Sequence, residues 1–467
     1  MLFVELRFFV FFAIVAALYW GLRTNAPRKV MLLAASYVFY GAWDIRFLTL
    51  ILFCTGLNYL VARYYVGPEH PRSKLAFWAA IWGNLAVLGV FKYFNFFADS
   101  LVDLASLGGV SLSQSTLNIV LPVGISFYTF QAMSYVIDVR RRHIEAETSF
   151  TNVALYIAFF PQLVAGPIVR AADFLPQLKR ARVRADVAIQ PALILFLLGF
   201  IKKACISDNI APFVDEIFAN PGAYSTEAVI SGVLLYGVQI YCDFSGYSDM
   251  AIATAMLLGY QFPKNFDAPY LSPSITVFWR RWHISLSSWL RDYLYIPLGG
   301  NRLSPAKRDR NLMATMVLGG LWHGASYNFL IWGFLHGLAL IVNREWASRF
   351  AGLKGRIPLA DLWGTLATLY WVFLAWIFFR ANTLSDAWQI TKVYVTLQSP
   401  GTEDMDFAAW PFLIAFASVH WLGHRYQALD RAERAPMEAF AALYGVTAAL
   451  AIAFLPTGYR PFVYFQF

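Results

Sequence analysis

The stretch Leu312-Met-Ala-Thr-Met-Val-Leu-Gly-Gly-Leu-Trp-His-Gly-Ala-Ser-Tyr-Asn-Phe-Leu-Ile-Trp-Gly-Phe-Leu-His-Gly-Leu-Ala-Leu-Ile-Val342 contains no Asp, Glu, Lys or Arg. About 20 apolar residues in helical form cross a hydrocarbon core of about 30 Å; this run of 31 residues exceeds one crossing and, with its glycines and polar residues at the middle, reads as two elements. Comparable runs lie outward from it, at 2–22, 29–43, 47–66, 75–97, 117–136, 153–168, 188–206, 228–241, 248–260, 362–379, 407–422 and 439–455. They predict about eleven to thirteen membrane elements.

Composition agrees. Of 467 residues, 59% are hydrophobic, 18% aromatic and only 14% charged. Adding the 30 glycines brings the apolar share to about 65%, against about 45–50% in soluble domains. Disordered and collagen-like classes are excluded. A transmembrane barrel would show alternation in strands of about 10 residues, whereas these runs are continuous. The predicted fold class is therefore all-α, a polytopic transmembrane helical protein with some broken or re-entrant elements and a central cavity or tunnel. One domain is expected over 1–467.

The net charge of +9 does not point to nucleic acid. Basic residues flank apolar runs, at Arg23, Arg28 and Lys29, at Arg140, Arg141 and Arg142, and over 179–184, as in cytoplasmic loops of proteins whose partner is the lipid bilayer. Cys54, Cys205 and Cys242 have no paired spacing, which gives neither a disulfide frame nor a zinc site. The run 2–22 carries Glu5 beside Arg7 and ends in Tyr19-Trp20-Gly21-Leu22, a poor cleavage site, so it reads as a retained span.

Several runs are interrupted, by Pro122-Val-Gly124, by Pro161 and by Gly166-Pro167. Irregular backbone at membrane depth is tolerated where protein or a water-filled cavity surrounds it. Over 261–310 the chain turns basic and aromatic. At 100° per residue, Phe278, Trp282, Leu286, Trp289, Leu290, Tyr293 and Leu294 share one arc, with Arg280, Arg281, Ser287, Ser288 and Arg291 outside it. This predicts one amphipathic helix, with His283 at the margin of the apolar arc.

The usual soluble-enzyme signatures are absent: no Gly-x-Ser-x-Gly, no phosphate loop, no His-Glu-x-x-His, no Cys-x-x-Cys. Polar groups inside apolar runs remain, and these are costly to keep there. His323 is the sharpest. Trp322 precedes it, and Gly319, Gly320 and Gly324 would let a backbone or a slim substrate approach; a neutral core imidazole fits the spacing equally well. His336 falls about 220° further round a continuous helix, away from that face. In Tyr241-Cys-Asp-Phe-Ser-Gly-Tyr-Ser-Asp249, the groups Asp243, Ser245 and Asp249 either orient a substrate or hold basic partners such as Arg280 or Arg281. The terminal Phe462-Val-Tyr-Phe-Gln-Phe467 reads as an aromatic anchor or as a carrier of an accessible phenol, Tyr464.

These segments, with Phe127-Tyr-Thr-Phe-Gln-Ala-Met-Ser-Tyr135, Phe160-Pro-Gln-Leu-Val-Ala-Gly-Pro167, Phe278-Trp-Arg-Arg-Trp-His-Ile-Ser-Leu286 and Gly320-Leu-Trp-His-Gly324, resemble the membrane-bound O-acyltransferase family. The likeness is to the branch holding bacterial alginate O-acetylation proteins and the acyltransferase of teichoic-acid D-alanylation. It implies an O-acetyltransferase of the bacterial inner membrane that takes acetyl from cytoplasmic acetyl-CoA, without a metal, for O-acetylation of an exported exopolysaccharide. A periplasmic polysaccharide O-acetyltransferase or related secretion-complex protein is the implied partner.

By the same resemblance, His323 matches the family histidine, a general base on the acceptor hydroxyl. His283 matches the second histidine, which positions the thioester or stabilises an oxyanion. Arg280 and Arg281 suit the CoA phosphates, and Tyr464 is a conceivable acyl relay. The alternatives are D-alanyl or other acyl transfer from a carrier-protein thioester, a transporter or flippase without acyl chemistry, and a non-catalytic scaffold.

Overall fold

The computed structural model describes residues 1–68, 70–110, 119–350, 358–456, 458, 460 and 462–463. Among them the regular elements are helices, and a single bridge between Tyr224 and Glu403 is the only strand-like pairing. Among the described residues five helices are long and apolar enough to cross a membrane: Asn25–Val66, Ser73–Leu107, Ile189–Ala219, Thr226–Leu257 and Ala360–Arg380. Leu6–Gly21 and Met437–Ala453 are apolar but shorter. The protein is an all-α polytopic membrane protein. Its contacts divide it into two compact units, residues 1–192 with 250–263, and residues 193–249 with 264–467.

The first unit is held by polar groups inside an apolar bundle. Asn58 and Asn84, both buried, exchange amide hydrogen bonds of 3.1 and 3.2 Å between neighbouring helices, the interhelical glue expected where lipid cannot supply partners. Arg28 is no loose interfacial cation. Its guanidinium donates to the carbonyls of Leu22 and Arg182 and lies over the rings of Tyr19 and Trp20. The predicted interruptions appear where Pro and Gly require them. The helix Ile125–Arg140 starts after Gly124, whose φ of 74° suits glycine, and Phe159 separates Phe150–Ala158 from Phe160–Leu163.

In the second unit the run 312–342 resolves into a hairpin of Pro305–His323 and Tyr327–Arg349. Gly324 leaves the helical region, and Ser326 caps the second helix by accepting from the Phe329 N–H. The two helices touch backbone to backbone, because a Cβ on Gly320 would collide with the Phe329 carbonyl and one on Gly333 with that of Met316.

Two predicted elements differ from the structure. The runs 228–241 and 248–260 were expected as separate spans, yet Thr226–Leu257 is one helix of 32 residues. Asp243, Ser245 and Asp249 do not break it because each has a side-chain partner, and Gly246 lets the backbone at Gly199 and Lys203 approach closely. The amphipathic helix predicted from Phe278 to Leu294 is instead two short helices, Ile275–Arg281 and Ile284–Leu290. Trp282 is extended and His283 left-handed at φ 43°. The break is imposed from outside: residues 265–267 pair with it, through Asp267 N–H to the Arg281 carbonyl and Ile284 N–H to the Asn265 carbonyl, both 2.9 Å.

Candidate active site

His323 ends its helix and is buried against three rings, those of Trp322, Trp332 and Phe379, with centroids 5.0, 5.0 and 5.1 Å away. Trp322 also meets the other predicted histidine, its ring 6.0 Å from that of His283. Both imidazoles thus contact one indole. The glycines flanking His323 serve helix packing: Gly320 lies against the facing backbone and Gly324 against the Phe329 ring.

His283 is fully buried between Phe244, 4.6 Å away edge to face, and Phe266. Its left-handed backbone is uncommon outside glycine, although histidine adopts it more readily than most side chains, and it costs about 1 kcal/mol that its surroundings must offset. Asn265 does so. Its Oδ1 accepts from Ser285 N–H at 3.1 Å and Ser285 Oγ at 2.8 Å, and lies 3.2 Å from His283 Nδ1. Its Nδ2 donates to Ser248 Oγ at 3.1 Å. Asn265 carries no signal in the sequence beyond the polar residues around it, while Ser248 and Ser285 lie within the segments quoted above without a partner assigned to them.

His336 reaches this region through Trp332, whose ring meets both it and His323. The turn at 324–326 brings the second helix of the hairpin back so that Trp332 meets His323, and His336 follows one helical turn later with its ring 4.7 Å from that of Trp332. Trp279 donates from Nε1 to His336 Nδ1 at 3.3 Å, and Trp376 and Phe278 complete the surround.

The acidic pair is held by lysines, not by Arg280 or Arg281. A π-helical turn, Ile201–Ser207, presents two consecutive lysines. Lys203 bridges Asp243 at 2.5 Å and Asp208 at 2.7 Å, while Lys202 pairs with Asp249 and donates to Ser245 Oγ at 3.2 Å. Lysines in the middle of an apolar run were the available signal. Asp243 also accepts from the Val463 N–H at 2.8 Å, and Phe462 packs on Tyr247 and Phe244. Arg281 donates to the Leu271 carbonyl at 3.3 Å, and Arg280 is exposed. Tyr464 lies outside the described residues. Among the described residues no group of three or more His, Cys, Asp or Glu is gathered as a metal would require. An apolar cavity of about 180 Å³, lined by Leu197, Leu198, Phe440 and Leu443 among others, holds neither histidine.

The sequence profile of the membrane-bound O-acyltransferase family, MBOAT, matches residues 32–381, about three quarters of the chain, and includes His283, His323 and His336. The chain belongs to the membrane-bound O-acyltransferase family. This MBOAT protein is 41% identical over 397 residues to the "Probable alginate O-acetylase AlgI" of Pseudomonas aeruginosa, covering 84% of this chain and 74% of that one. It is 36% identical to the peptidoglycan O-acetyltransferase of Helicobacter pylori, covering 79% and 74%. The teichoic acid D-alanyltransferase of Streptococcus thermophilus is 28% identical, over 60% and 72%. The MBOAT protein is an O-acyltransferase, and its two resemblance-matched histidines meet at one buried indole.

Proposed function

We propose that this enzyme moves an acetyl group from cytoplasmic acetyl-CoA, at the bacterial inner membrane, for the O-acetylation of an exported polysaccharide, with a periplasmic acyltransferase as partner. The observation that carries this reading is the pair of buried imidazoles, His283 and His323, sharing the Trp322 indole inside the family-matched segment. His323 takes the proton of the acceptor hydroxyl, a contribution of about 10²–10⁴-fold. His283 stands at the thioester. The close relatives named for alginate and peptidoglycan O-acetylation support acetyl over D-alanyl as the group carried.

The test is purified protein in nanodiscs with radiolabelled acetyl-CoA and an oligosaccharide or partner acceptor. Release of CoA with label on the acceptor supports the reading. No thioester cleavage with acetyl-CoA, but cleavage of a D-alanyl carrier thioester, overturns the donor. Passage of intact solute without cleavage overturns the chemistry in favour of transport.

A further inference from the structure

We infer that Asn265 is a positioning residue that fixes His283 as its Nδ1–H tautomer, so that Nε2 is the nitrogen that receives a proton. This rests on the reading of His283 as a group of the acyl-transfer site, but the tautomer itself follows from hydrogen-bond logic.

The orientation of the Asn265 amide is settled by a group that has no choice. The backbone N–H of Ser285 can only donate, and it points at Oδ1 from 3.1 Å. The atom facing His283 Nδ1 at 3.2 Å is the same Oδ1. An oxygen lone pair opposite a nitrogen lone pair at that distance is repulsive, so Nδ1 carries hydrogen. Ser285 Oγ also lies 3.5 Å from Nδ1, and the proton of that hydroxyl is directed to Oδ1 at 2.8 Å. Ser248 Oγ, accepting from Nδ2 at 3.1 Å, holds the amide from its far side. In neutral His283 the lone pair is therefore on Nε2.

The consequence concerns the order of proton transfers. When an acyl group passes from a thioester to a hydroxyl, the acceptor O–H and the C–S bond break and the O–C bond forms. The proton ends on the departing sulfur. Neutral His283 in this tautomer has no Nε2 hydrogen to donate to an oxyanion or a thiolate. It can supply one only after receiving the hydroxyl proton, directly or by way of His323. His283 is thus a proton acceptor that becomes a donor within the cycle.

Histidine labelled with 15N in protein held in nanodiscs tests the tautomer directly, the His283 signals being those that vanish in His283→Gln among the seven histidines. Protonated Nδ1 with bare Nε2 is the expected result; protonated Nε2 with bare Nδ1 overturns the inference, whatever the enzyme's substrate. Activity supplies a second readout. Asn265→Asp keeps the acceptor and adds a charge that favours imidazolium, so the acid limb of the pH–rate profile moves to higher pH while transfer stays within about tenfold. Asn265→Leu loses the acceptor and drops transfer by about 10²-fold or more with substrate affinity little changed. Should Asn265→Leu fail to fold, the Asp variant and the spectrum decide. An unshifted profile in Asn265→Asp, with the protein folded, overturns the positioning role. Absence of acyl transfer in the unmutated enzyme overturns the proposed function and leaves the tautomer to the spectrum.

Discussion

The ammonium of Lys203 lies 2.5 Å from the carboxylate of Asp243, and neither side chain reaches the surface. Removing one member of a buried pair leaves the other uncompensated, which costs about 3–5 kcal/mol. Lys203→Met, which strands Asp208 as well as Asp243, is expected to lower the unfolding temperature sharply or abolish folded yield. Lys202→Met is expected to cost less, since Lys202 and Asp249 each keep some exposure. Thermal unfolding in one detergent ranks them; equal losses would show that Lys203 has no special weight.

For His323→Gln, which keeps most of the side chain's bulk among the three rings, a loss of acyl transfer of about 10²–10⁴-fold is expected, with folded yield and unfolding temperature near those of the parent protein. Measuring CoA release separates the two readings of this residue: a purely structural imidazole would lose stability first and activity in proportion.

Gly320→Ala places a methyl group against the Phe329 carbonyl, and Gly324→Ala one against the Phe329 ring. Each should destabilise the hairpin by about 1–3 kcal/mol, the usual cost of overpacking. Gly445, inside Met437–Ala453 with nothing within 4 Å of a built Cβ, is the control. There the alanine should stabilise by up to about 1 kcal/mol. If Gly445→Ala and Gly320→Ala behave alike, close backbone approach does not explain the glycines of the hairpin.

Glu147, in the connection before Phe150–Ala158, responds to acid. Burial pushes its pKa up, but the N–H groups of Ser149 and Thr148 and the Lys179 ammonium at 3.2 Å outweigh it and hold the carboxyl below its ordinary 4.5. A depressed folded-state pKa contributes stability above the unfolded value and loses it as pH falls through the folded one. The unfolding temperature should therefore decline below about pH 4.5, and Glu147→Gln should begin lower at neutral pH and decline less. Parallel curves for parent and variant would refute this.

The helical class and the hairpin of 312–342 are legible in the sequence because hydropathy and glycine spacing are local properties. The interruptions at Gly124 and Pro161 are legible for the same reason. The break at Trp282–His283 is not, since it is enforced by Asn265 and Asp267, some sixteen to eighteen positions away along the chain; periodicity alone extends the helix through it. The partners of Asp243 and Asp249 were misread because the nearest basic cluster in view was Arg280–Arg281, whereas a π-helical turn brings Lys202 and Lys203 to both acids. Both candidate histidines are nameable from the sequence and the family resemblance, whereas the contacts of Asn265 and Ser285 with His283 appear only in the fold.

The left-handed backbone of His283 restricts which amino acids this position can accept at all. Branched and bulky side chains clash in that conformation, while Asn, Asp, His and Gly enter it most readily. Variation here is thus limited to a short alphabet before any demand of chemistry is applied. Within it only imidazole can exchange a proton near neutral pH, so a relative carrying Asn at this turn would preserve its shape and a hydrogen-bonding group while losing a titratable ring.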